Sequence, residues 1–222
     1  MGFMGMMTDP KYGGGGMDTV SYVLAMEEIS KIDASCSVIM SVNNSLVCWG
    51  IEKYGTEKQK QKYLPQLTAG EILGAFCLSE PEAGSDATSQ KTTAVDKGDF
   101  YILNGTKNWI TNGNSASVYL VIAQTDIEKG HKGINAFIVE KELNGITVGK
   151  KENKLGIRAS DTTSIMFSDV KVPKKNRIGD DGFGFKFAMK TLAGGRIGIA
   201  SQALGIAAGS YELSLKYAQE RK

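Results

Sequence analysis

Two segments hold the side chains best suited to chemistry: Phe76-Cys-Leu-Ser-Glu-Pro-Glu-Ala-Gly-Ser-Asp86 and Lys107-Asn-Trp-Ile-Thr-Asn-Gly113. In the first, an apolar run from Ile72 to Leu78 is stopped by Pro81, which fixes its own φ and restricts Glu80; the small residues Ala83, Gly84 and Ser85 follow. This pattern predicts a strand that ends in a polar turn with exposed backbone N–H groups. In the second, Trp109 and Thr111 are two residues apart in a predicted strand, so both side chains leave the same face. A flat aromatic surface beside a hydroxyl, with Leu78 N–H and Ser79 as further donors, suits a planar, polar-edged ligand such as a flavin. Spacing alone does not name the ligand: taken singly, Trp109 also suits a packed core, and Ser85 a turn that caps Ala87 or Thr88.

The elements that must position these residues fall into three stretches. Asp18 is placed to cap a helix through about Ile32, and Val20, Val23, Leu24 and Ile29 share one stripe of it. Ser35 or Ser37 opens a second helix carrying Val38, Ile39, Val42, Leu46 and Trp49 toward Tyr54, and Thr56 with Glu57 starts a third that ends before Gly70. From Ile72 to about Val172 the pattern changes to short β-rich runs over residues 87–95, 100–111, 118–125, 134–139, 146–148 and 163–172, which predict a small barrel or packed sheets. After Gly182, Phe183 to Gln219 reads as one long helix containing Gly194, Gly195, Gly198, Gly205 and Gly209. Five glycines in one helix imply close backbone approach to a neighbour or ligand, since each weakens a helix by about 1 kcal/mol relative to alanine. The fold class is therefore α+β, with boundaries predicted at residues 1–71, 72–180 and 181–222.

Composition fits a globular protein: 41% of 222 residues are hydrophobic and 23% charged, enough for one or two small cores. A net charge of +2 says little about partners; no basic run interleaved with aromatics points to nucleic acid, and no uninterrupted apolar stretch is of bilayer length. Cys36, Cys48 and Cys77 lack the spacing of a metal site and read as reduced, buried thiols. The opening Met1-Gly-Phe-Met-Gly-Met-Met7 is short and has no basic leader, so it does not read as a signal peptide.

The paired segments resemble the flavin signature of the acyl-CoA dehydrogenase family, F-x-L-S-E-P-x-A-G-S-D followed by W-I-T-N-G. The resemblance continues through Leu155-Gly-Ile-Arg-Ala-Ser-Asp161, Val170-Lys-Val-Pro173, Gly182-Phe-Gly-Phe185 and Gly195-Arg-Ile-Gly-Ile-Ala-Ser-Gln-Ala-Leu-Gly205. It implies an N-terminal helical part, a middle β domain and the start of a C-terminal helical bundle, with FAD as cofactor. The reaction implied is α-proton abstraction from an acyl-CoA thioester with β-hydride transfer to flavin N5. By the same resemblance Phe76, Leu78 and Ser79 form one flavin-contacting strand and Trp109, Ile110 and Thr111 the other. Ser85 meets the pantetheine of coenzyme A, Arg196 contacts the CoA substrate, and Arg221 reaches the flavin pyrophosphate of a neighbouring subunit. Ala193 departs from the family, which frequently has aspartate there to hold CoA. Met40-Ser-Val-Asn-Asn-Ser45 and Thr191 to Gly205 are similar to the short-chain, butyryl-CoA branch, with Val42 near the end of the acyl pocket.

No residue is assigned as catalytic base: one family position for the glutamate lies beyond Lys222, and the other corresponds to Gly195. Glu80 is given a structural place in its turn, and His131 reads as a surface residue. The resemblance implies electron-transferring flavoprotein as acceptor, a homodimer or homotetramer at full length, and a bacterial cytoplasmic or mitochondrial matrix setting. An acyl-CoA oxidase of the same fold and a non-catalytic flavin or acyl-CoA binding module remain open. The chain reads as a fragment that starts inside the first helical region and stops after the first C-terminal helix. Leu192, Ile199, Leu204, Ile206, Leu213 and Leu215 then form an uncovered stripe on the last helix. The expected behaviour of the isolated chain is self-association or marginal stability; light scattering that finds a monodisperse monomer, with a sharp thermal transition, would refute it.

Overall fold

Side-chain caps set where the helices begin. In the computed structural model, which describes residues 2–222, helix α1 (Thr19–Ile32) starts where Asp18 Oδ1 accepts the Ser21 N–H at 2.8 Å. Helix α2 (Ala34–Ser41) is capped by Asp33, which accepts from Ser35 N and Cys36 N, rather than by the predicted Ser35 or Ser37. One carboxylate serves both orphan amides and breaks the helix at the same point. Helix α4 (Glu57–Ala69) opens on a capping box between Thr56 and Gln59 and closes at Gly70, whose φ of 75° suits glycine.

Between them, α2 passes without interruption through a π-helical segment, Val42–Cys48, into α3 (Trp49–Tyr54). The wider π turn has a visible polar cause. Asn43 donates to Met4 O and Leu67 O and accepts from Gly74 N, while Asn44 donates to Phe3 O and Met40 O and accepts from Met6 N. Residues Ala34–Tyr54 form a 21-residue helix with mean hydropathy 1.3 over its most apolar 18 residues, long and apolar enough for a bilayer by length and composition, although Ser41, Asn43, Asn44 and Ser45 interrupt its apolar run. Of those 18 residues 67% are buried inside the protein, as in the core helix of a folded domain.

The strands are β1 (Gly74–Cys77), β2 (Thr93–Asp96), β3 (Phe100–Thr111), β4 (Val118–Gln124), β5 (Ile134–Glu140), β6 (Ile146–Val148), β7 (Thr162–Pro173) and β8 (Arg177–Ile178). They form one sheet in the order β6-β7-β3-β2-β4-β5-β8, with β1 parallel to β4. The run predicted over 87–95 is corrected: the Asp86 carboxylate folds Thr88 and Ser89 into a single 3-10 turn, and the strand begins only at Thr93. Strand β4 is buried along its whole length because both faces are covered. Leu120 and Ile122 join an apolar cluster with Val47, Ile51, Leu64 and Phe187 of the helices. Tyr119 and Val121 join Tyr101, Leu103, Phe137 and Phe167, so the two halves of the sheet pack on each other, with Tyr101 and Phe137 ring centroids 4.9 Å apart.

Helix α5 (Gly184–Glu220) crosses α1 through glycine contacts. A Cβ at Gly205 would lie 2.3 Å from Glu27 O, and one at Gly209 would lie 2.5 Å from Lys31 O. Gly194 departs from the expected close approach, since nothing but Ser45 O at 4.0 Å comes near. Of the predicted uncovered stripe, Ile199, Leu204, Ile206, Leu213 and Leu215 are exposed, whereas Leu192 is half-buried against the helix cluster. Cys48 and Cys77 are buried thiols, each pushed up to about 12 by burial. Cys36 is corrected to exposed, because it lies in the first turn of α2 with its Sγ donating to Asp33 at 3.4 Å.

Gly205→Val is expected to lower stability by about 1–3 kcal/mol through overpacking of the α1–α5 crossing. Gly194→Ala is expected to raise it by about 0.5–1 kcal/mol. Urea unfolding midpoints of the two variants check both signs.

Candidate functional site

The two segments singled out from the sequence meet where β1 runs out and β3 is interrupted. Opposite β7, Lys107 pairs with Ile165 and Ile110 with Thr163, so β3 carries one residue more than its partner. Trp109 takes up the extra length with a left-handed φ of 61°. Inward-facing positions run Tyr101, Leu103, Lys107 and then Ile110, all buried, while the Trp109 side chain is 65% exposed. Had the alternation continued past Lys107, residue 109 would point into the core. The bulge therefore excludes the packed-core role for Trp109 and leaves the indole facing outward next to Thr111, which is half-buried.

The turn after β3 is braced from two sides. Asn112 has φ 62°, and its side chain donates to Gly74 O at 3.2 Å, tying the turn to the start of β1. Asp161 accepts from Asn114 N at 3.0 Å and Ser115 N at 3.1 Å, which explains the polar end of the Leu155–Asp161 segment. Gly113 is required by space, since a Cβ there would stand 2.3 Å from Thr163 Oγ1.

Beneath the Trp109 bulge lies a charge that sequence reasoning missed. The Lys107 side chain has no exposure, and its ammonium donates to Glu80 Oε1 at 2.7 Å, Leu78 O at 3.0 Å and Gln90 Oε1 at 3.2 Å. The Glu80 carboxylate also accepts from Lys91 N at 2.6 Å and from Thr92 N at 3.0 Å. Burial alone would push the Glu80 carboxyl up, but the Lys107 charge and these hydrogen bonds outweigh it and hold the group below the usual glutamate value. Burial also pulls the Lys107 ammonium down, with Glu80 opposing. Glu80 thus has the structural place expected of it, and neither of its oxygens is available as a base. The signal in the sequence was a lysine at the inward parity of a strand whose other buried side chains, Tyr101, Leu103 and Ile110, are hydrophobic.

Within the described residues, the hydroxyls of Ser79 and Thr111 make no side-chain hydrogen bond, and the Ser79 N–H has no acceptor. Free donors and an outward indole fit the edge and face of a flavin, with Ile110 buried behind them. Leu78 is itself buried, and Phe76 is half-buried against Phe187 at 6.3 Å between ring centroids.

A cavity of about 280 Å³ opens between the π segment and α5, lined by Ser41, Val42, Ser45, Leu46, Leu192, Gly195, Arg196 and Ile199. Val42, Leu46 and Leu192 belong to the same apolar cluster as Phe76 and Leu78, so the cavity and the end of β1 are built on one core. Arg196 is its single charged lining residue, and no carboxylate faces it. The remaining predicted residues lie apart. Ser85 is exposed in the turn, where Asp86 rather than Ser85 provides the cap. His131 is a surface residue with its ring 5.8 Å from Phe185. Arg221 is exposed at the end of α5, roughly 37 Å along the helix from Arg196 at 1.5 Å per residue.

Comparison with known proteins matches three consecutive family models: acyl-CoA dehydrogenase N-terminal domain over residues 1–71, middle domain over 75–170 and C-terminal domain over 182–222. The chain is 52% identical over 221 residues to the short-chain specific acyl-CoA dehydrogenase of Clostridium acetobutylicum, covering all of this chain and 58% of that protein. It superimposes on butyryl-CoA dehydrogenase from Megasphaera elsdenii with a TM-score of 0.97 and 48% identity, over all of this chain and 59% of that one. A chain solved under the description "Electron transferring flavoprotein of Acidaminococcus fermentans: Towards a mechanism of flavin-based electron bifurcation" gives a TM-score of 0.98 and 52% identity, again over all of this chain and 58% of that one. The chain thus spans a little under three fifths of the length of the relatives it matches.

Because the Glu80 carboxyl is held below its ordinary value of 4.5, its contribution to stability is fully present above that value and is lost as pH falls through the lower folded-state value. Wild-type protein is expected to lose stability more steeply than Glu80→Gln between about pH 5 and 3. Urea midpoints measured across that range give the comparison; parallel curves would contradict it.

Proposed function

This chain belongs to the acyl-CoA dehydrogenase family, and from that membership we propose that its protein is an FAD-dependent dehydrogenase of short-chain acyl-CoA thioesters. The observation that carries the reading is the left-handed bulge, which turns the Trp109 indole outward next to the unpartnered donors of Ser79 and Thr111. Bound there, FAD would supply the acceptor for the hydride that leaves the acyl β-carbon. Trp109 gives the ring a flat apolar face, Ser79 and Thr111 give its polar edge hydrogen-bond donors, and Ile110 keeps water from behind it.

The acyl chain is assigned to the cavity between the π segment and α5. Its apolar walls at Val42, Leu46, Leu192 and Ile199 exclude water, and a volume of about 280 Å³ suits a short chain. Arg196 offers a guanidinium to the carbonyl-rich or anionic part of CoA, and Ser85 a hydroxyl to the pantetheine. Ala193 is exposed and has no group for the hydrogen bond that an aspartate would make there. With no carboxylate in the cavity lining, the base that takes the α-proton comes from outside these eight residues.

The acceptor is assigned as electron-transferring flavoprotein, the protein as a homo-oligomer in which Arg221 serves a neighbouring subunit's flavin, and the compartment as bacterial cytoplasm. Similarity to the A. fermentans and M. elsdenii chains supports the acceptor and the substrate class. The oxidase alternative differs in a measurable way, since it would consume oxygen on turnover.

The test is a visible spectrum after incubation with FAD and gel filtration, followed by anaerobic butyryl-CoA. The protein as its gene encodes it is expected to keep yellow flavin and to bleach. The 222-residue chain, if it keeps flavin, is expected not to bleach. Colourless full-length protein, or flavin indifferent to butyryl-CoA, would sink the assignment.

A further inference from the structure

The peptide geometry of residues 78–80 shows which group aims the donor that the flavin reading requires. The Leu78–Ser79 peptide is trans and planar, so its carbonyl and its N–H point in opposite directions. The carbonyl, Leu78 O, is held at 3.0 Å by the Lys107 ammonium inside the protein. The Ser79 N–H therefore points away from that ammonium. The following peptide is fixed at both ends as well: Ser79 O accepts from Asn108 N at 2.8 Å, and Glu80 N donates to Ala83 O at 2.9 Å. Asn108 is the residue before Trp109, so the same contacts fix the turn against the bulge that carries the indole.

We propose that Lys107 is a positioning residue of the cofactor site: its buried ammonium holds the Leu78 carbonyl so that the Ser79 N–H is presented to an acceptor on the edge of a flavin beside Trp109. This rests on the flavin reading above. Lys107 touches no ligand itself. A cation at a peptide carbonyl also polarises that peptide, which makes its N–H a stronger donor in a site shielded from water. Glu80 Oε1 and Gln90 Oε1 accept the other two N–H groups of the ammonium, and a glutamine oxygen at position 80 can accept in the same place.

Two variants of the full protein separate this from plain structural support. Glu80→Gln keeps the Lys107–Leu78 contact, whereas Lys107→Met with Glu80→Gln removes it and leaves neutral side chains of similar size. FAD affinity is read by quenching of flavin fluorescence, the flavin midpoint potential by reductive titration, and folding by circular dichroism. The double variant is expected to fold, to bind FAD about 10–100-fold more weakly and to shift the potential to more negative values, because the lost donor favours the electron-rich reduced ring. Glu80→Gln alone is expected to stay within about threefold of wild type in affinity.

A folded double variant with wild-type affinity and potential would overturn the clamp and leave the flavin reading standing. An affinity loss in Glu80→Gln as large as in the double variant would also overturn it, since the ion pair rather than the Leu78 carbonyl contact would then be what matters. Where the double variant does not fold, Glu80→Gln decides alone: an affinity loss of about tenfold or more overturns the clamp, and affinity within about threefold of wild type supports it, because the ion pair is then dispensable while the Leu78 contact remains. Wild-type protein that holds no flavin would overturn both readings together.

Discussion

Strand β3 has to bury Lys107 and Ile110 on the same side, and a regular strand cannot do this. Side chains three positions apart leave opposite faces unless one residue is inserted between them. The insertion is made at the cost of a left-handed Trp109, a conformation that a bulky aromatic adopts at a cost of about 1–3 kcal/mol. Much of the candidate site follows from that step: the outward indole, the half-buried Thr111 beyond it and the turn at Asn112 and Gly113. Flanking contacts hold the strained residue in place. Asn108 N is bonded to Ser79 O, Asn112 N to Asp161 O, and Ile110 is packed into the sheet core.

Beneath this bulge an ion pair is taken out of water. Such a pair brings little net stability, because the desolvation of two charges absorbs most of their attraction, yet removing one partner typically costs about 3–5 kcal/mol. The geometry here is close to complete, with three acceptors around the ammonium and two backbone amides at the carboxylate besides Lys107. An arrangement of that kind holds segments in register. It joins the end of β1, the approach to β2 and the middle of β3, which are distant in sequence and between them present the free donors of Ser79 and Thr111.

The helical side of the molecule is organised by backbone proximity. Glycines 205 and 209 let α5 lie directly on α1, and Gly195 lets it approach Leu46 of the π segment. The π turn in turn exists because Asn43 and Asn44 find backbone partners in three other segments. Widening the helix at that point places Val42, Ser45 and Leu46 on the wall of the cavity facing Arg196. Polar groups buried for the sake of the fold thus shape an apolar pocket.

The order of elements, most strand limits, the caps at Asp18 and Thr56, and the polar turns that end the two segments at β1 and β3 were all legible in the sequence, because local rules of periodicity, capping and proline geometry decide them. The family could be read there too, since its motifs are contiguous. What the single chain could not reveal was decided between elements. The orientation of Trp109 depends on a register shift against β7, and a strand's own residues do not show how its partner is aligned. The burial of Lys107 depends on Glu80 and Gln90 arriving from elsewhere, and a lysine in isolation prefers water. The π turn, the exposed Cys36 and the carboxylate-free cavity likewise arise only when distant backbone and side-chain groups meet, so tertiary packing rather than local propensity determined the site.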